Sequence, residues 1–232
     1  MPTFVLLHGA WHGAWCWGRV MPLLAAAGHH VNAPTFTGLG ERRHLASRAV
    51  DLDTHVDDVI NHLLYEDLTD VALVAHSYAG FVAAGVIARA VDRIGRLVLV
   101  DGFVPRTGDA MADHIGERGP AYRAEADRDP DWMIPPPSVS VFGVTDPADV
   151  AWTEPRLTPQ PVYSYLQPIG SVDLDAVADR AYVACTTPAL SVLEESKRRV
   201  REGAWRVAEV AAGHDALITR PREIADAISA SA

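Results

Sequence analysis

Cysteine is nearly absent from this sequence: Cys16 and Cys185 are the only two among 232 residues. So few leave no disulfide framework and point to free thiols in a reducing, cytoplasmic compartment. Cations are also scarce, with 20 Lys and Arg against 30 Asp and Glu and a net charge of −10. A nucleic-acid surface needs clustered Lys and Arg, so that class of partner is excluded. The one basic knot, Lys197-Arg198-Arg199, falls on a helical stretch and reads as a solvated face. No apolar run reaches about 18 residues, the length a membrane span requires. The opening residues carry neither a charged leader nor a cleavage site, so no signal peptide is expected. HExxH and CxxC spacings are missing, and the adjacent His29-His30 cannot face one ion from a strand, so no metal is expected. Gly38-Leu39-Gly40 lacks the third glycine that opens a dinucleotide-binding helix. No cofactor is therefore expected.

What is present centres on Val71–Phe81, VALVAHSYAGF. An apolar run of strand character stops at Ala75, and an alanine- and valine-rich helical pattern begins at once after Gly80. Strand, sharp turn and helix with Ser77 at the turn match the nucleophile elbow G-x-S-x-G, with Ala75 and Ala79 at the small flanking positions. Further strands are expected at Thr3–Leu7, His30–Ala33, Arg96–Val100, Ala181–Cys185 and Trp205–Val210. Helices are expected over Trp17–Ala27, Thr54–Leu68 capped by Thr54, Leu193–Glu202, and Pro221–Ser229 with Pro221 at its first position. The alternation predicts an α/β chain, a mostly parallel sheet of about six strands flanked by helices. From 103 to 179 the alternation vanishes and proline, aspartate and aromatics dominate. So long a stretch inside a compact domain is not plain loop. It is expected to be a cap inserted into a core of residues 1–102 and 180–232.

Ligands of parallel sheets bind beyond the carboxyl ends of the strands. Ser77, Asp101 and His214 each follow a predicted strand and come in the chain order Ser, Asp, His. A serine hydroxyl needs a base, for which His214 is the candidate, and the base needs an orienting carboxylate. The backbone N–H groups of Ala10 and Tyr78 are the candidate oxyanion donors. Cap and loop aromatics, Trp11, Trp132, Phe142, Trp152 and Tyr163, are candidates for an apolar pocket.

HGAWHGAW after the first strand, AHSYAG at the turn and AGHD near the end resemble the hydroxynitrile lyase/plant methylesterase branch of the α/β-hydrolase superfamily, and its bacterial esterase-like members most closely. The resemblance implies an α/β-hydrolase fold, Ser77 as nucleophile, His214 as base, and a homodimer as a common assembly. In the plant enzymes the acid follows the strand corresponding to Ala181–Cys185; here Pro188 stands in that place, which turns the assignment to Asp101. The lyases carry a lysine after the catalytic histidine and a threonine in the first loop, where this chain has Asp215 and Gly9, so cyanohydrin cleavage is not expected. The leading expectation is a serine carboxylesterase for small to medium hydrophobic esters. A lyase, lactonase, C–C hydrolase or biosynthetic tailoring enzyme on the same fold, and a non-catalytic binder of hydrophobic ligands, remain alternatives.

Overall fold

The computed structural model describes residues 2–231. In chain order it runs β1 Thr3–Leu7, α1 Met21–Ala26, β2 His30–Asn32, α2 Leu52–Tyr65, β3 Val71–His76, α3 Ala79–Ala90 and β4 Ile94–Val100. An inserted segment follows, with α4 Arg118–Arg128, β5 Met133–Ile134, α5 Pro147–Thr153, β6 Gln160–Pro161 and α6 Tyr163–Leu166. The chain then returns through β7 Asp179–Cys185, α7 Glu194–Glu202, β8 Arg206–Val210, α8 Ala216–Thr219 and α9 Pro221–Ala230. No helix among the described residues is long and apolar enough to cross a membrane.

Six strands form one sheet in the order β2-β1-β3-β4-β7-β8, and every neighbouring pair is parallel. Successive side chains on a strand point to opposite faces, and both faces of this sheet are apolar. Val5, Leu7, Leu73, Ala75, Leu97 and Leu99 pack on one side with α2 and α3 residues. Phe4, Leu6, Val74, Val98, Val100 and Val183 pack on the other with α1 and α9 residues. Burial on both faces is why β3 reads as an unbroken apolar run rather than an alternation. In the inserted segment β5 and β6 pair antiparallel as a two-residue ribbon.

Two helix starts differ from expectation. The stretch from Trp17 to Ala27 is not one helix: a 3₁₀ turn covers Ala14–Trp17, and α1 begins at Met21 with Pro22 in its first turn. Proline lacks an N–H and suits a helix start rather than its interior. The α2 helix begins earlier than Thr54, because the Asp51 side chain accepts from the Thr54 N–H while the Thr54 hydroxyl accepts from the Asp51 N–H. That reciprocal box satisfies two amide donors and makes Asp51 the cap.

The close approach that shapes the elbow falls at Gly80. A Cβ there would lie 2.0 Å from the Phe103 carbonyl oxygen, so the start of α3 is pressed against the chain leaving β4. Backbone cannot yield as a flexible side chain does. Gly80→Ala is expected to destabilise the protein by roughly 1–3 kcal/mol or more, read as a lower urea midpoint at unchanged slope.

Candidate active site

Ser77 follows β3 directly and takes φ 57°, in the left-handed region that non-glycine residues rarely enter. The surroundings over-determine this strained turn. Its N–H donates to the Val100 carbonyl and its own carbonyl accepts from the Phe103 N–H, so the end of β4 grips both sides of it. A Cβ on Gly9 would come within 3.0 Å of Ser77 Cβ and His76 Nδ1, which keeps that position bare. The Ser77 hydroxyl donates to His214 Nε2 at 2.8 Å, and His214 Nδ1–H donates to Asp101 Oδ2 at 2.7 Å. Asp101, next after β4, accepts the Cys185 N–H on its other oxygen at 3.2 Å and has no exposed surface.

The loop after β1 is held from beneath and from above. Below, His8 donates Nδ1–H to the Gly9 carbonyl and accepts the Phe36 N–H on Nε2. Above, Trp11 at φ 63° is gripped by the inserted segment. Its N–H donates to Gln160 Oε1 at 3.0 Å, its carbonyl accepts from the Thr158 N–H at 2.9 Å, and its indole N–H donates to the Ile134 carbonyl at 3.1 Å. The Ala10 and Tyr78 amides, by contrast, donate to no acceptor among the described residues. Two free N–H groups beside a serine hydroxyl can receive developing negative charge.

The sequence matches the Alpha/beta hydrolase family over residues 4–227. The chain belongs to the α/β hydrolase family. It is 35% identical to a carbendazim-hydrolysing esterase of Nocardioides sp. (strain SG-4G), over 99% of each chain. It is 36% identical to methylesterase 2 of Arabidopsis thaliana, over 45% of this chain and 40% of the relative. Among solved structures, an extracellular α/β-hydrolase from a Paenibacillus species superposes at TM-score 0.85 over 100% of this chain and 99% of that one, at 24% identity, a likeness of fold. The function is accordingly that of an esterase-like α/β hydrolase.

In this α/β hydrolase the buried charges come in compensated sets. Burial alone would push the Asp101 carboxyl up, but its bond to His214, the charges of His214 and Lys197, and the Cys185 N–H outweigh that and hold it below the usual carboxylate range. Lys197 is the chain's single lysine. It is buried 3.2 Å from Asp101 Oδ1 rather than solvated, a correction to its reading as surface. Next to His214, buried Asp215 accepts from His12 Nε2 at 3.2 Å while His12 Nδ1 donates to the Ala10 carbonyl at 2.7 Å. Burial pulls the His12 imidazole down, yet the charge and hydrogen bond of Asp215 prevail and raise it. Both ring nitrogens then donate, and the pair is an internal imidazolium carboxylate. His76 donates to the His214 carbonyl at 3.0 Å and is held neutral, burial pulling it down to about 3.

The predicted pocket residues divide. Trp11 and Phe142 line a cavity of about 10 Å³ at Ser77, with Gly9, Ala10, His12 and His214. Trp132 joins through Tyr122, whose ring stands 5.6 Å from it and 6.3 Å from Tyr165, and Tyr165 stands 6.0 Å from Trp11. Tyr163 is half-buried on the same cluster. Trp152 is not brought to the site: it packs with the opposite face of the sheet, 5.3 Å from Trp15, with the guanidinium groups of Arg19 and Arg156 at 4.7 and 4.8 Å from its ring. Sequence reading missed Lys197, the His12–Asp215 pair and the Gln160 grip. For Lys197 a signal existed, because Leu193, Lys197 and Val200 share one helix face and the two apolar members are fully covered.

These buried histidines shape stability against pH. Burial takes His8 and His76 down to about 3 and His55 to about 4. The unfolded chain protonates near 6.5 while the folded one resists, so their contribution is whole above that pH and is lost below it, at about 1.4 kcal/mol per pH unit for each. His12 runs the other way: its raised value gives stability present below the unfolded value and lost as pH rises through the folded one. The unfolding midpoint is expected to peak near neutrality and fall on both sides, and His12→Gln is expected to lessen the fall on the alkaline side and leave the acid side unchanged, as read by thermal scans across pH.

Proposed function

We propose that this α/β hydrolase is a cofactor-free serine esterase for small to medium hydrophobic carboxylic esters, acting through an acyl-enzyme. The observation that carries the reading is the unbroken bond chain from Ser77 through His214 to Asp101, at 2.8 and 2.7 Å. Ser77 Oγ attacks the ester carbonyl as its proton passes to His214 Nε2. The oxyanion is received by the Ala10 and Tyr78 amides. When the tetrahedral adduct collapses, the C–O bond to the alcohol breaks and His214 returns the proton to the leaving oxygen. Water repeats the sequence on the acyl-enzyme and releases the acid. Asp101 holds the imidazole with Nδ1 protonated and stabilises its cationic form.

Residues 103–179 act as the cap over a core of 1–102 and 180–232. The aromatic lining of Trp11 and Phe142, with Tyr165 packed behind Trp11, supports an apolar acyl or alcohol group. A cavity of about 10 Å³ holds no more than a water, so substrate entry requires these rings to part. The two free buried cysteines support a cytoplasmic setting, and the branch it resembles supports a homodimer.

Hydrolysis of p-nitrophenyl acetate and butyrate tests the reading. Wild type is expected to turn over both, and Ser77→Ala and Asp101→Asn to lose on the order of 10³-fold or more in kcat. Glu194, exposed at the start of α7, supplies the control, and Glu194→Gln is expected to match wild type. Wild type inert towards both esters would overturn the reading; an active Asp101→Asn would move the acid elsewhere. Carbendazim is the next substrate to try, since the 35%-identical relative is named for its hydrolysis.

A further inference from the structure

The carboxylate that orients the base has a second partner. Lys197 Nζ lies 3.2 Å from Asp101 Oδ1 and donates to the Cys185 carbonyl at 2.9 Å, with its side chain 4% exposed. The helix that carries it is pinned. Ser196 Oγ accepts the Val104 N–H at 3.0 Å, and Leu193 and Val200 are fully covered on the same face. Burying an ammonium is costly, and an apolar side chain of similar length would fill the space without that cost. Asp101 thus divides its oxygens, Oδ2 to His214 and Oδ1 to Lys197 and the Cys185 amide.

We propose that Lys197 is a positioning residue for the Ser77–His214–Asp101 set, fixing the Asp101 carboxylate and lowering the proton affinity of His214 so that the base stays free at lower pH. The inference rests on the esterase reading of the site. A carboxylate alone stabilises the imidazolium; a cation on its far oxygen offsets part of that charge. The other groups around the pair do not duplicate this role. On β3, His76 is neutral, its ring 4.6 Å from that of His214. Asp215, on the loop of His214 itself, is matched by His12 of the first loop. On β7, Tyr182 and Cys185 are pushed up by burial and stay uncharged. On α7, Glu194 is exposed.

Lys197→Gln keeps a donor and removes the charge; Lys197→Arg keeps the charge. Two readouts are taken on each: the acid limb of kcat/KM for p-nitrophenyl butyrate, and the titration of the His214 ring by NMR, which needs no turnover. In Lys197→Gln both are expected to move up by about one pH unit, a tenfold loss of rate at a fixed pH on the acid limb. In Lys197→Arg both are expected to stay near wild type. A folded Lys197→Gln with unchanged titration and unchanged limb overturns the inference, even if its melting temperature falls. If Lys197→Gln does not fold, Lys197→Met with Asp101→Asn removes both charges together. His214 then loses anion and cation at once, and its titration is expected to shift less than in Asp101→Asn alone; an equal shift overturns the inference. If wild type hydrolyses no ester while the NMR shift appears, the esterase reading fails and the electrostatic role of Lys197 stands.

Discussion

An ionised carboxylate with no exposed surface must find its solvation inside the protein, and Asp101 imposes that demand at the end of β4. Three groups from three parts of the chain answer it: His214 after β8, the Cys185 amide at the end of β7, and Lys197 on α7. The register between β4 and β7 sets Val100 against Val183 and so brings the Cys185 amide beside Asp101. Misplacing any of the three would leave a charge uncompensated in a medium of low dielectric. The carboxyl end of the sheet is therefore organised by electrostatics where its middle is organised by apolar packing.

The inserted segment is bound into the site rather than laid over it. Thr158, Gln160 and Ile134 hold the polar groups of Trp11, and Trp11 follows Ala10, whose amide has no acceptor among the described residues. Gln160 itself is fully buried and bonded onward to Ser164. The Phe142 carbonyl accepts the Asp215 N–H, so the same segment also touches the loop that carries His214. The segment is therefore joined by direct hydrogen bonds to two loops that flank Ser77.

Much of this was legible in the sequence for a physical reason. Strands covered on both faces are apolar over their packed length, so most of β1, β3, β4 and β7 announces itself, and the residues one step beyond β3 and β4 are Ser77 and Asp101. Spacing could not disclose the pairing of His12 with Asp215, residues 203 apart in the chain whose types suit many roles. Trp152 was misplaced because aromatic residues in an irregular segment carry no periodicity to say which side they face. Lys197 was misread because it sits in a charged run, EESKRRVRE, in which one helical face alone is covered.

Of the 20 lysine and arginine side chains, every one other than Lys197 is an arginine. The outer surface thus presents guanidinium groups in forked pairs, such as Arg198 with Glu195, and carries no lysine amine. Reagents that acylate or reductively alkylate lysine meet none on the outside of the folded molecule. Modification of a lysine side chain in this protein would therefore report the parting of α7 from β7, an internal clock for the opening of one seam.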